Sequence, residues 1–403
     1  MGSVGRARPA ETFPTEGPLP AADLIGRRED VEAIAAKMGA GANTVLAAPR
    51  RTGKTSVCDA ALQQLERQDE FYVVKVDLFK VDGIGAFADK LITATLSNRP
   101  AWRQALARTG QAGRTLYDSI GVTIGIKLLG GPELEGVDLN VLPKLPNNPV
   151  AHLDYALELP QRIAAADEKR LVLLIDEFQD VHRIGEAWKL GWAEALKRKM
   201  RAVFQYSPDV SFLFAGSLEH MMRHLFGSPD EPFFQLGLFH QLQPITAEEW
   251  REGLTAKFAK DQTTISAQAL DLVIEKGEGH PRATMLIAQQ AHLGAIVAGS
   301  RHVDANVATL AYETALRMEA SKHEAYIERA RSVGKAASNR TAVSLLVAVA
   351  DGARPYAGDR ARSTQITRQL GALRNIGLIE RDNASRWHII DPLFAEYLRR
   401  ERP

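Results

Sequence analysis

Thr44-Val45-Leu46-Ala47-Ala48-Pro49-Arg50-Arg51-Thr52-Gly53-Lys54-Thr55-Ser56 is the stretch whose reading decides the fold. Its first four residues are apolar or β-branched and bounded by Asn43 and Pro49, which suits a short strand covered on both faces. A helix opens at Lys54. The run between them fits G-x-x-x-x-G-K-[ST], with Ala48 standing where the first glycine belongs. Each residue type has a physical reason. Gly53 lets the backbone approach phosphates, and the loop amides and the helix N-terminus point at the anion. Lys54 places a point charge on the β- and γ-phosphates, and the Thr55 hydroxyl is a ligand for Mg²⁺.

Further along, Leu171-Val172-Leu173-Leu174-Ile175-Asp176-Glu177 is an apolar strand ending in two carboxylates. Asp176 is expected near Mg²⁺ through a water, and Glu177 to polarise the attacking water. This strand is expected beside the phosphate-loop strand. Either motif alone is common; both together, in this order, specify an ATP site. Ala215-Gly216-Ser217 ends another apolar strand. Ser217 there suits a contact to the γ-phosphate or the attacking water, and equally the start of the helix that follows.

Apolar runs at 71–78, 210–215 and 238–245 add strands, and helical periodicity lies between them, as over 186–204. Strand–helix alternation implies a parallel, three-layer α/β sheet. Two alternating stretches flank Gly130-Gly131-Pro132, so an inserted β-hairpin is expected near 119–143. From Thr246 the strands stop. Segments 247–260, 267–276, 281–298 and 303–330 read as helices, and 341–403 as helix, turn, helix, two short strands and a helix. The expected order is a disordered tail (1–22, with Pro9, Pro14, Pro18 and Pro20), an ATPase core (23–245), a helical lid (246–318), a connector (319–340) and a C-terminal domain (341–403).

The chain has 403 residues, with 50 Lys and Arg against 49 Asp and Glu, a net charge of +1. That balance excludes a protein whose whole surface binds polyanions. A hydrophobic content of 45% with 25% charged residues is globular. Cys58 is the only cysteine, which rules out an intramolecular disulfide and a multi-cysteine zinc site. No apolar run approaches the ~20 residues of a membrane helix, and the first 23 residues hold no signal-type apolar core. A soluble, cytoplasmic protein with no membrane contact is expected.

These motifs resemble the archaeal-type ATPases of the AAA+/STAND group of P-loop proteins. The resemblance runs over 24–400. Ile25-Gly26-Arg27-Arg28-Glu29 is similar to the family's N-terminal GRExE box, which implies that Gly26 and Arg27 contact the adenine end of the nucleotide. Pro49-Arg50-Arg51-Thr52-Gly53-Lys54-Thr55-Ser56 resembles its GPRRxGKTS loop, and Ile175-Asp176-Glu177-Phe178-Gln179 its IDEFQ strand end. Gly279-His280-Pro281 resembles its GxP lid signature, which implies nucleotide contact at Pro281 and γ-phosphate sensing by Arg282. Ala48 departs from the family's loop. So does Gln235-Leu236-Gly237-Leu238, where members often carry Gly-Arg, so no arginine finger is placed there; Arg223 is the nearby candidate.

Family members also carry a C-terminal winged helix, and Asp391-Pro392-Leu393-Phe394 resembles their closing DPLF run. Over 351–403 ten arginines meet seven acids. Arg362, Gln365, Arg368 and Arg374 would line a groove-facing helix, with Arg386 on the wing. Three functions stay open: a nucleotide-gated switch acting on double-stranded DNA or a protein partner, a replication-initiator-like or DNA-loading ATPase, and a weakly catalytic scaffold. A homo-oligomer is compatible with each.

Overall fold

The structure, a computed structural model, describes residues 12–99, 148–333, 339–353, 355, 363–382 and 384–402. The hairpin expected at 119–143 lies outside the described residues, as does Arg362. No helix of the described residues is long and apolar enough to cross a membrane.

β1 (Thr44–Ala47), β2 (Phe71–Asp77), β3 (Arg170–Asp176), β4 (Val210–Gly216) and β5 (Leu238–His240) pair in parallel in the order β2-β3-β4-β1-β5. The acidic strand is therefore not beside the phosphate-loop strand: β4 separates them, with Leu213 aligned to Leu174 on one side and Thr44 on the other. Burial explains the order. All seven residues of β4 are buried, which suits the centre of a covered sheet. β5 is shorter than expected and lies at an edge, with Leu238 and Phe239 exposed.

Helices α1 (Arg28–Gly39), α2 (Lys54–Glu66), α3 (Ile84–Leu96), α4 (Pro149–Ala166), α5 (Val181–Trp188), α6 (Ala193–Phe204) and α7 (Glu219–Gly227) accompany this sheet. The expected single helix over 186–204 is two. Gly191 takes a φ of +78° between them, and the Glu186 carboxylate accepts hydrogen bonds from the Gly191 and Ala193 amides, capping α6.

The chain divides into two compact units. The sheet unit holds Glu29–Ala48 and Lys54–Leu242. The helical unit holds the chain up to Arg28, the loop segment Pro49–Gly53, and the chain from Gln243 onward. Its elements are α8 (Ala247–Lys260), β6 (Thr264–Ile265), α9 (Ala267–Gly277), α10 (Pro281–Val297), β7 (His302–Val303), α11 (Ala305–Ser332), α12 (Asn339–Ala350), α13 (Ser363–Asn375), β8 (Ile379–Arg381), β9 (Trp387–Ile389) and α14 (Pro392–Glu401). Strands do not stop at Thr246, since β6 and β7 form a two-residue parallel pair. The boundary expected between lid and connector at 319 falls inside a helix. α11 runs through it, with Ala308, Ala311 and Ala315 in one apolar core and Ile327 and Ala330 in the next.

The expectation of a disordered tail over 1–22 fails from Thr12 onward. Phe13 is fully buried in the first helical core, with its ring 4.7 Å from Phe258 and 5.4 Å from His292. Gln289 donates to the Phe13 carbonyl at 2.8 Å and Lys257 to that of Thr12. One aromatic anchor outweighs the proline-rich composition around it, since burying a phenylalanine gains about 2–3 kcal/mol.

Candidate nucleotide site

In the sheet unit, Lys54 begins α2 and Asp176 ends β3. The Lys54 ammonium pairs with the Asp176 carboxylate and lies 3.9 Å from Glu177 Oε1. Thr55 Oγ1 donates to Asp176 Oδ2 at 3.1 Å, and the Glu177 amide donates to Asp176 Oδ1 at 2.8 Å. The Lys54 side chain is 5% exposed. Burial would lower its pKa, but Asp176 and Glu177 outweigh burial and hold it above the usual lysine value.

Glu177 takes left-handed backbone angles (φ +51°, ψ +43°). Its Oε2 accepts from Ser217 Oγ at 2.6 Å and from Gln179 Nε2. Gln179 is a site residue that the motif reading passed over. It is buried, and a Cβ added at Gly216 would meet its Oε1 at 2.6 Å. Its signal was adjacency alone: it closes the Ile175–Gln179 run. Ala48 is buried, its amide donating to the Gly216 carbonyl at 3.2 Å, so the strand end accepts the methyl group. Cys58 is buried on the same helix as Lys54. Burial pushes its thiol up to about 12, which leaves it unreactive.

The loop segment Pro49–Gly53 groups with the helical unit. Thr52 Oγ1 donates to the Pro49 carbonyl at 2.7 Å, closing the turn. Gly53 has a φ of +92° with open space around it, so conformation rather than room demands glycine. Arg51 is left-handed as well (φ +68°), and its guanidinium donates to the Tyr326 hydroxyl at 3.4 Å. Arg50 is exposed, and Ser56 is buried on α2.

Arg27 is buried and donates to the carbonyls of Thr52 (3.2 Å) and Gln243. It thereby ties the N-terminal box to the phosphate loop and to the segment leading into α8. Gly26 has a φ of +60°, and a Cβ there would meet Ile245 Cγ2 at 2.7 Å, so close approach requires glycine.

His280 caps α10, its Nδ1 accepting from the Ala283 amide, and Pro281 occupies the first turn. Arg282 is bound by Glu319 and Glu16. Lys322 pairs with both Glu319 and Asp391, and Asp391 caps α14 through the Leu393 amide. Glu319, His323 and Asp391 bring ligand-type atoms within 4.8 Å of one another. Lys322 pairs with both carboxylates and Arg282 with Glu319, so the group is an ion-pair network.

Of the residues read as DNA-facing, Gln365 and Arg368 are exposed on α13, whose Ile366 and Leu370 face inward. Arg374 pairs with Glu380 at 2.5 Å and Arg386 with Asp382 at 2.9 Å. Arg223 lies 5.9 Å over the Phe239 ring.

No family model matches the chain. One curated protein, 3,4-dihydroxyphenylacetate 2,3-dioxygenase of Escherichia coli, is 34% identical over 97 residues. The match spans 23% of this chain and a third of that protein, and assigns no activity to the whole. The Walker-type ATPase of Pyrococcus abyssi superposes with a TM-score of 0.65 and 14% identity, over 96% of this chain and 99% of that one. The Aeropyrum pernix ORC2 protein, solved as ADPNP–ADP complexes, superposes at 0.53 and 16%, over 96% and 95%. The chain shares the fold of these two proteins, a three-layer α/β core of the P-loop NTPase type with helical regions.

Proposed function

We propose that this protein binds ATP with Mg²⁺, hydrolyses it, and uses the cycle as a switch. One observation carries the reading: Lys54, Thr55 and Asp176 converge, with Glu177 oriented beside them. These are the donors a metal-bound triphosphate needs, a cation for its phosphates and a hydroxyl with a carboxylate for the metal. Positive φ angles at Arg51 and Gly53 suit a phosphate-binding loop, since such backbone lets successive amides face an anion.

The chain's own groups would act as follows. Lys54 would leave Asp176 for the β- and γ-phosphates; Asp176 and Thr55 would hold the metal, which would supply positive charge against the phosphates. Ser217 and Gln179 fix the direction of Glu177 through Oε2. Its Oε1 is the oxygen that accepts the proton of the attacking water. Arg27 keeps Thr52, and so the loop, in register. Pro49, Arg50, Ser56, Gly26 and Pro281 complete the nucleotide-facing set, and Arg282 senses the terminal phosphate. The decisive experiment is phosphate release with Mg²⁺ present. Glu177→Gln should retain ATP binding and lose at least a hundredfold in turnover. Turnover unchanged by that substitution refutes the assignment, and a wild-type chain that binds ATP without turnover is a scaffold.

A second reading concerns the C-terminal segment. Helices α12 and α13, the antiparallel β8–β9 pair and α14 follow the order of a winged helix, and Gln365 and Arg368 offer an exposed edge. That edge suits double-stranded DNA as partner through a small contact only, because Arg374 and Arg386 are engaged by Glu380 and Asp382. A duplex titration at rising salt tests it; no binding at low salt removes it.

A further inference from the structure

Arg282 is gripped by two carboxylates in unlike surroundings. Its two terminal nitrogens donate to the two oxygens of Glu319, at 2.7 and 3.0 Å, a bidentate pair. Its Nε and one terminal nitrogen donate to a single oxygen of Glu16, at 3.3 and 2.9 Å. The Arg282 and Glu319 side chains are each 10% exposed, whereas Glu16 is 74% exposed. Glu319 stands on α11 and is held in turn by Lys322. Glu16 stands on the N-terminal lead-in, between the buried Phe13 and Gly17, whose φ is +74°.

The position of Arg282 calls for an anion. It lies in the first turn of α10, where the helix dipole disfavours a cation. Arg51 of the phosphate loop donates to Tyr326 and Arg282 to Glu319, so both arginines reach the same helix, α11, about two turns apart.

We infer that Glu16 is a built-in stand-in for an anion, covering the edge of Arg282 that a terminal phosphate takes, while Glu319 is the positioning residue that keeps the guanidinium in place throughout. The inference rests on the proposed reading of Arg282 as the sensor of that phosphate. The asymmetry between the carboxylates gives the order of displacement. An exposed pair held by one oxygen is weak, whereas a bidentate, mostly buried pair is strong. A phosphate brings more charge and more acceptor oxygens than Glu16, so it displaces Glu16 and leaves Glu319.

The test measures dissociation constants of the full chain with Mg²⁺ for ATP, ADP and inorganic phosphate. Glu16→Gln should tighten ATP about two- to fivefold, the worth of an exposed pair, and leave ADP unchanged. Glu319→Gln should weaken ATP about fivefold or more, with recovery in Glu319→Asp. A merely structural role for both acids would not move ATP in opposite directions. Unchanged or weaker ATP binding by Glu16→Gln overturns the inference, and this variant decides alone if Glu319→Gln does not fold. Inorganic phosphate binding to Glu16→Gln as tightly as ATP overturns the assignment to a nucleotide's phosphate. Arg282→Ala separates the levels. If it leaves the ATP-to-ADP preference intact, the sensor reading itself fails. If it abolishes that preference while Glu16→Gln changes nothing, only the stand-in fails.

Discussion

Replacing Lys54 with methionine keeps the volume of the side chain and removes its charge. The side chain is 5% exposed and its ammonium sits on Asp176, so two separate losses follow. Towards nucleotide, the variant forfeits a charge-assisted contact to phosphate, about 1.5–3 kcal/mol. At about 2 kcal/mol the dissociation constant for ATP rises roughly thirtyfold. In the free protein, Asp176 loses its cation but keeps the Thr55 hydroxyl and the Glu177 amide. The cost to the fold is then about 1–2 kcal/mol, below the ~3–5 kcal/mol of a buried ion pair stripped of one partner. Displacement of a fluorescent ATP analogue measures the first loss, and urea unfolding the second. ATP affinity within twofold of wild type refutes the phosphate role, and unaltered stability refutes the Lys54–Asp176 pair.

Phe13→Ala should lower the stability of the helical unit by about 3 kcal/mol, the usual cost of truncating a buried phenylalanine; a loss below about 1 kcal/mol in urea unfolding refutes the anchor. The helical unit should also lose stability in acid, in two stages. Burial lowers His280 and His323 to about 4, below their unfolded value, so the unfolded chain takes up protons first and stability falls from pH 6.5 to 4. For Glu319 and Asp391 burial acts upward, but neighbouring cations, Lys322 common to both, outweigh it and hold each at about 2. Their stabilisation is present above about pH 4.5 and is lost towards pH 2. Urea midpoints across pH check both stages: His323→Asn should flatten the upper one, and stability unchanged from pH 7 to 4.5 refutes it.

What was legible in the sequence was local. The phosphate loop and the runs at 71–78, 171–175 and 210–215 announce themselves through neighbouring residues, as does Ser217 at a strand end. Strand order did not, because β3 and β4 are alike in apolarity and only the packed sheet decides which lies centrally. Phe13 was hidden by its neighbours, since composition averages over a window and one aromatic ring anchors by itself. The break before Ala193 turns on Gly191 accepting a left-handed φ that helical periodicity does not register. Arg282 was visible as a first-turn arginine after Pro281, but its partners were not. Glu319 lies 37 residues away and Glu16 lies 266, distances at which no sequence pattern operates.

The same limit explains why the sequence, although it also reads 303–330 as one helix, suggests a domain boundary at 319 inside α11. Its two ends serve different apolar cores, and composition near 319 turns polar. That polar stretch is not a linker. Glu319, Lys322, His323 and Tyr326 recur at three- and four-residue spacing, so they share one face of the helix. Glu319 meets Arg282, Lys322 bridges Glu319 to Asp391, His323 and Tyr326 pack on Phe394, and the Tyr326 hydroxyl receives Arg51. Lys322 is shared, so neutralising Glu319 removes one of its two anions and alters its hold on Asp391, the cap of α14. Direct ion pairs thus run from Arg282 through Glu319 and Lys322 to the cap of the C-terminal helix, all on one face of a continuous α11.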